Sequence, residues 1–333
     1  METKLNYKRT FLIALAFLSI CSFWQMYDNI IPLILQNTYH LGETMTGAVM
    51  ALDNVLAIFL LPVCGMLSDK VHTKLGRRMP FIVVGTILAV IFMMMLPMID
   101  NAEKARWATG GSFSNQVFFL GVLFLTLVSM GLYRSPAVAL MPDVTPNHLR
   151  SRANAVINLM GAVGGVYALI MIKVLVGKGE TPDYLPLFSS IAAVMAIAVG
   201  ILVITIQENK LREEVEKAEA ANADTIEEKA MAEGVEAAGE IEAVGDTGEA
   251  KAFEEKQQTA KTESTKDMPK DVKRSMYFML ASIFLWFTAY NAVTTAFSRY
   301  TKVVWKMEGG SFANCLMVAT VAAIFSYIPI GGI

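Results

Sequence analysis

An all-α, polytopic membrane protein is predicted from three features of the chain: its apolar content, its long apolar runs, and a bias of Lys and Arg between alternate loops. The 333 residues are 54% hydrophobic and 17% charged, with a mean hydropathy of +0.47. Soluble domains hold roughly 45–50% apolar residues, with about a quarter charged. The apolar runs are Phe11–Gln36, Met45–Leu67, Pro80–Ile99, Gln116–Met141, Ala153–Val176, Tyr184–Ile206, Met276–Val304 and Ser311–Ile333, eight in all. A helix needs about 20 residues to cross a hydrocarbon core roughly 30 Å thick. Lipid supplies no water to backbone groups and the runs lack period-two alternation, so they are read as helices.

The segments justify themselves in order. The first run follows Lys4, Lys8 and Arg9; it is too long for a secretory signal and lacks a small-residue cleavage site. The loop after it, Asn37–Glu43, has no Lys or Arg. The next loop, Gly65–Ile82, has Lys70, Lys74, Arg77 and Arg78, a turn at Gly76, and Pro80 where its missing N–H costs nothing. Further along, Lys104 and Arg106 alternate with Arg150 and Arg152, then Lys178, then a segment ending in Lys270, Lys273 and Arg274, then Lys302 and Lys306. The richer loops fall on the side of the N-terminus, which is therefore expected in the cytoplasm. Cys21, Cys64 and Cys315 are odd in number and sit inside apolar runs, so they read as small packing residues, with no metal site expected. Gly161, Gly164 and Gly165 are expected to permit close helix contact.

The formal charge of −2 conceals an asymmetry, because the acids concentrate after Gln207. Composition then turns to Glu, Ala, Lys and Thr, which cannot bury enough apolar surface to offset ordering entropy. The expected organisation is a six-helix bundle over 1–207, an acidic disordered cytoplasmic linker over 208–272, and two helices of a second bundle over 273–333. Internal repetition agrees: Trp24, Tyr27, Asp28 and Asn29 are echoed by Trp286, Tyr290 and Asn291, and Pro62 and Gly65 by Pro329 and Gly332.

Two motifs bear a family resemblance. Gly65, Asp69, Gly76, Arg77 and Arg78 resemble the loop signature between the second and third helices of the major facilitator superfamily. The surrounding SDKVHTKLGRRMPFI is similar to the sucrose-transporter-like branch and the related glycoside-pentoside-hexuronide cation symporters. Arg134-Ser-Pro-Ala-Val-Ala-Leu-Met-Pro-Asp143, followed by Arg150-Ser-Arg-Ala-Asn-Ala155, resembles the fourth helix, loop and fifth helix of that branch. The resemblance implies parallel six-helix halves joined by a cytoplasmic linker, twelve spans of which eight are present, and a C-terminal truncation. It also implies that Asp69 with Arg77 and Arg78, and Asp143 with Arg150 and Arg152, form cytoplasmic gating contacts together with Gly65 and Gly76.

Ionisable groups inside a bilayer cost roughly 2.5–3.5 kcal/mol or more each, so they mark function. Three qualify: Asp28, Asp53 and Arg134. Helix direction leans Asp28 and Arg134 toward the midplane from opposite sides. Burial disfavours an ionised carboxylate and a guanidinium favours it, so moving the two together or apart is a proton switch. A permanent ion pair between helices is the structural alternative. Asp53 ranks second as a coupling acid: the symporters resembled place a second aspartate one turn later, where this chain has Ala57, which favours a proton over sodium. A sugar site needs flat apolar faces and bidentate polar groups. Trp24, Gln25, Tyr27, Asn54, Arg134, Asn154 and Asn158 are the candidates in one half, with Trp286, Tyr290 and Asn291 in the other, although aromatics also serve as plain packing.

The expected function is proton-coupled symport of a sugar by alternating access, and the resemblance implies a glucoside or disaccharide such as sucrose or maltose as the substrate. Efflux of another small solute, or a non-transporting sensor, remain the alternatives. No cofactor beyond the proton, no nucleic acid and no enzymatic activity are expected, since no nucleophile and base pair, metal cluster or phosphate loop is present. The chain is expected to be a monomer in the plasma membrane.

Overall fold

A computed structural model describes residues 6–71, 73–109, 115–179, 182–217 and 270–330. Among them the regular structure is helical apart from one isolated bridge between Thr73 and Gly76. Helix α1 is Tyr7–Asn37, and the Asn6 side chain accepts from Arg9 N at 3.2 Å to cap it. The second expected span is two helices, α2 (Glu43–Met50) and α3 (Leu52–Lys70), joined at Ala51. Then come α4 (Met79–Ala108), with Pro80 in its first turn, and α5 (Gln116–Asp143). A short 3₁₀ turn precedes α6 (Arg150–Leu175), followed by α7 (Leu185–Thr205), α8 (Lys270–Val303) and α9 (Ala313–Ile330).

Seven stretches among the described residues are long and apolar enough to cross a membrane, α2 with α3 counting as one. The eighth expected span corresponds to α9, of which Ala313–Ala322 forms a shorter apolar stretch. Two compact units emerge: Met1–Glu216 with Thr294–Ile333, and Lys217–Val293. In the first, α1 lies along α6, α4 along α5, α3 on α5, α7 against both α1 and α4, and α9 on α6. The described part of the second is Lys217 and the segment of α8 up to Val293, whose apolar side chains other than Met276 are exposed.

In lipid the tails are as apolar as the side chains, so helices associate through close packing and interhelical hydrogen bonds. A Cβ on Gly164 of α6 would lie 2.1 Å from Leu18 O of α1, so only glycine permits this approach. Ser22 Oγ spans the contact, donating to Leu18 O at 2.8 Å and Gly164 O at 2.9 Å. On the other pair of helices, a Cβ on Gly85 would lie 2.7 Å from Tyr133 N. The hydroxyls of Tyr133 and Ser19, 2.6 Å apart, tie α5 to α1. Gly165 has ordinary clearance, 3.7 Å to Gln25 Oε1.

The expected boundary at residue 208 falls inside packed structure. Residues 208–217 are helical, Glu208 is fully buried and Val215 is buried. The physical reason is that Glu208 answers backbone donors at the start of α4, which no count of local composition weighs. The acidic stretch 218–269 and the expected linker character, together with His72 and the repeat residue Gly332, lie outside the described residues.

Candidate functional site

The inward side of α1 presents an aromatic cluster. Trp24 meets Phe23 and Tyr27 edge-on at 5.3 and 5.4 Å, and Phe23 stacks on Tyr27 at 6.0 Å. Across the gap to α5, the Arg134 guanidinium lies 5.6 Å from the Trp24 ring, a cation–π distance. Three buried polar atoms on this part of α1, Trp24 Nε1, Tyr27 OH and Asn29 Oδ1, have no hydrogen-bond partner among the described residues. A buried polar group left so costs about 1–3 kcal/mol, and a polar ligand reaching it would recover that cost. The amide nitrogen of Asn29 is engaged, donating to Gln25 O at 2.8 Å.

The charges join this cluster through α3. Asn54 Nδ2 donates to Asp53 Oδ1 at 2.9 Å. Asp53 interacts electrostatically with Arg134, Asp28 interacts with Asp53, and Tyr27 feels both acids. The ion pairs formed among the described residues involve none of Asp28, Asp53 and Arg134. The arrangement read from the sequence set Asp28 opposite Arg134; the structure adds Asp53 between their fields, with the second acid meeting the guanidinium. Such a site offers one cation, two carboxylates and two ring faces around groups that stay half-buried.

The remaining candidates are placed less centrally. Asn154 and Asn158 are exposed, one turn apart on α6. Trp286, Tyr290 and Asn291 belong to the second unit, where Trp286 stacks on Tyr290 at 5.7 Å and meets Phe287 edge-on at 4.9 Å. That trio repeats the composition of Phe23, Trp24 and Tyr27.

At the face carrying the N-terminus, the two ionic clusters expected from sequence are one. Arg78, 6% exposed, binds Asp69 Oδ1 at 2.6 Å and Asp143 Oδ2 at 3.0 Å. It also donates to Ser68 Oγ at 2.5 Å and Gly65 O at 3.4 Å. Arg77 reaches the same Asp143 oxygen at 3.3 Å. Arg150, expected beside Asp143, instead donates to Pro142 O at 2.9 Å and Thr145 O at 3.2 Å, closing the carbonyl end of α5. Arg152 is exposed on α6.

Glu208 is the group that sequence reasoning missed. Its carboxylate accepts from Arg77 N at 2.8 Å, from Arg78 N at 3.1 and 3.0 Å, and from Met79 N at 3.1 Å. Gly76 makes room: its φ is +123°, and a Cβ there would lie 2.1 Å from Glu208 Oε2. The available signal was an acid two residues past an apolar run, facing a Gly-Arg-Arg-Met-Pro helix start whose donors need an acceptor.

A bundle of long apolar helices with a basic, glycine-turned loop after the second span matches a known family. The sequence profile of the Major Facilitator Superfamily matches residues 12–333. The chain belongs to the major facilitator superfamily. It is thus a multi-pass membrane protein. Among curated relatives, this superfamily member is 26% identical over 137 residues to the sucrose transport protein SUT3 of Oryza sativa subsp. japonica, covering 39% of this chain and 27% of that protein. It is 36% identical over 117 residues to the sucrose transport protein SUC4 of Arabidopsis thaliana, covering 33% of this chain and 22% of that one. It is 24% identical over 151 residues to the sucrose transport protein SUC3 of Arabidopsis thaliana, covering 43% and 25%. The matched stretches therefore span about a quarter of the length of these relatives.

Proposed function

We propose that this chain acts in proton-coupled symport of a sugar, a glucoside or disaccharide such as sucrose or maltose, by alternating access in the plasma membrane with its N-terminus in the cytoplasm. The observation behind this reading is the set of unanswered polar atoms, Trp24 Nε1, Tyr27 OH and Asn29 Oδ1, beside stacked rings and the Arg134 guanidinium. A pyranose has an apolar C–H face for such rings and hydroxyls for such donors and acceptors. The relatives that match are named as sucrose transport proteins, which favours a sugar over an unrelated solute. Asp28 is the coupling acid in this reading, with Asp53 in its field and Arg134 acting on Asp53 to bias which form persists.

The test is uptake of labelled sucrose and maltose into vesicles holding the protein, with and without an inward proton gradient. Accumulation that requires the gradient, and that Asp28→Asn abolishes while leaving sugar exchange intact, supports the proposal. Accumulation unaffected by the gradient refutes proton coupling, and failure to move either sugar refutes the substrate class.

A further inference from the structure

Away from the central site, a groove of about 290 Å³ opens at the face carrying the N-terminus, between the start of α1 and the end of α7 with the helix 208–217. Helix α1 begins at Tyr7 and α7 ends at Thr205, so the groove lies where two spanning helices leave the hydrocarbon, at headgroup depth. Three cations line it, Lys8, Arg9 and Lys210, against one carboxylate, Glu214. Its floor is apolar: Ile206 is buried, and Leu12 packs half-buried on the core. A cationic rim over an apolar floor, at that depth, matches the chemistry of a phosphodiester attached to acyl chains.

We propose that this groove binds the headgroup of an anionic phospholipid from the leaflet at the N-terminal face. Arg9 already holds an oxyanion there, since its NH1 lies 3.3 Å from Glu214 Oε2. Both partners are solvent-accessible, the carboxylate side chain 63% so. An exposed pair of this kind is weak, and a phosphate presents more acceptor oxygens in the same position. Glu214 is therefore a competitor that the lipid displaces, and Lys8 and Lys210 supply the excess charge that makes displacement favourable. Lysine stems also lie along apolar surface while their ammonium groups stay at headgroup level. A soluble phosphate would use the cations but gain nothing from Leu12 and Ile206.

The test is native mass spectrometry of the full chain titrated with phosphatidylglycerol or phosphatidylcholine of identical acyl chains. Phosphatidylglycerol should bind more tightly, and each cation removed should reduce the preference by about fivefold. Lys8→Gln with Lys210→Gln should therefore bring the two lipids close to parity. Glu214→Gln should shift the preference the other way and strengthen retention of phosphatidylglycerol, an outcome that misfolding cannot mimic. Excess glycerol phosphate should not displace the lipid. The assignment is overturned if the double variant keeps the full preference, if Glu214→Gln weakens it, or if glycerol phosphate competes fully and so marks a free-anion site. It is also overturned if the preference emerges only once residues 218–269 are deleted, which would give the groove to the acidic stretch of the chain itself.

Discussion

Replacing Glu208 with Gln tests whether one carboxylate organises the start of α4. The wild-type side chain takes three consecutive backbone N–H groups, those of Arg77, Arg78 and Met79, while fully buried. Pro80 contributes no donor, so Arg78 and Met79 are the first donors of the helix start, and Glu208 takes both with Arg77 beside them. Gln keeps a single acceptor oxygen and turns an NH2 group toward the remaining donors. One charge-assisted bond lost costs about 1.5–3 kcal/mol, and loss of the charge at the helix N-terminus adds about 0.3–1 kcal/mol. The local opening energy should fall by about 2–4 kcal/mol, or roughly 30-fold to several hundred-fold in the open population. Hydrogen exchange read by mass spectrometry over residues 74–84 measures this where reclosing outpaces exchange. Amides 77–79 should accelerate by that factor, with α1 and α6 unchanged. Gly76→Ala should reproduce the effect, because its Cβ would occupy the place of Glu208 Oε2 and its φ of +123° disfavours any side chain. Rates at 77–79 within about twofold of wild type in both variants would refute the reasoning.

Gly164→Val should force α1 from α6, since the smallest added atom already meets Leu18 O at 2.1 Å, and overpacking costs about 1–3 kcal/mol; an unchanged thermal midpoint in detergent would contradict it, whereas Gly121→Ala, with open space around it, should be neutral. Asp183, in the loop before α7, is held below its ordinary value of 3.8 chiefly by the Asn101 amide 2.7 Å away. A depressed acid stabilises the fold above its unfolded value and loses that contribution as pH falls through the folded one. Asn101→Ala should thus lower the thermal midpoint at pH 6, with the gap from wild type closing below pH 3.8; a gap that widens on acidification would be the wrong sign.

The spans were legible because in a bilayer composition alone decides most of the matter: Phe11–Gln36 became α1 (Tyr7–Asn37), and Gln116–Met141 became α5 (Gln116–Asp143). The division of the second span at Ala51 was not legible, since neither Gly nor Pro marks it. At the central site, the identity of the ionisable residues followed from their cost in lipid, but their pairing did not. Asp53 meets the field of Arg134 because α3 packs on α5, a tertiary contact with no local signature. The resemblance set Asp143 beside Arg150, yet Arg77 and Arg78 reach it from 66 and 65 residues away. Glu208 was hidden by the acids that follow it, because a fully buried carboxylate and a solvated one share the same letter.

The Arg78 cluster explains why the first unit holds together at the face where its loops carry the most charge. Asp69 and Ser68 end α3, Asp143 ends α5, and Arg78 precedes α4, so one guanidinium closes three helix ends. Its five donors in a fixed fork suit that task, and a lysine at the same place would offer a point charge to one acid at a time. Glu208 then fastens the segment after α7 to the backbone of the same arginine, through Arg78 N. The side chain of Arg78 is thus oriented by its carboxylate partners and its main chain by a fourth segment. Removing Asp143 leaves a buried guanidinium short of a partner, and breaking a buried pair from one side costs about 3–5 kcal/mol, whereas the half-exposed Asp69 is screened by solvent and contributes less. Any motion that separates α3 from α5 at this face must part Arg78 from Asp69 or from Asp143.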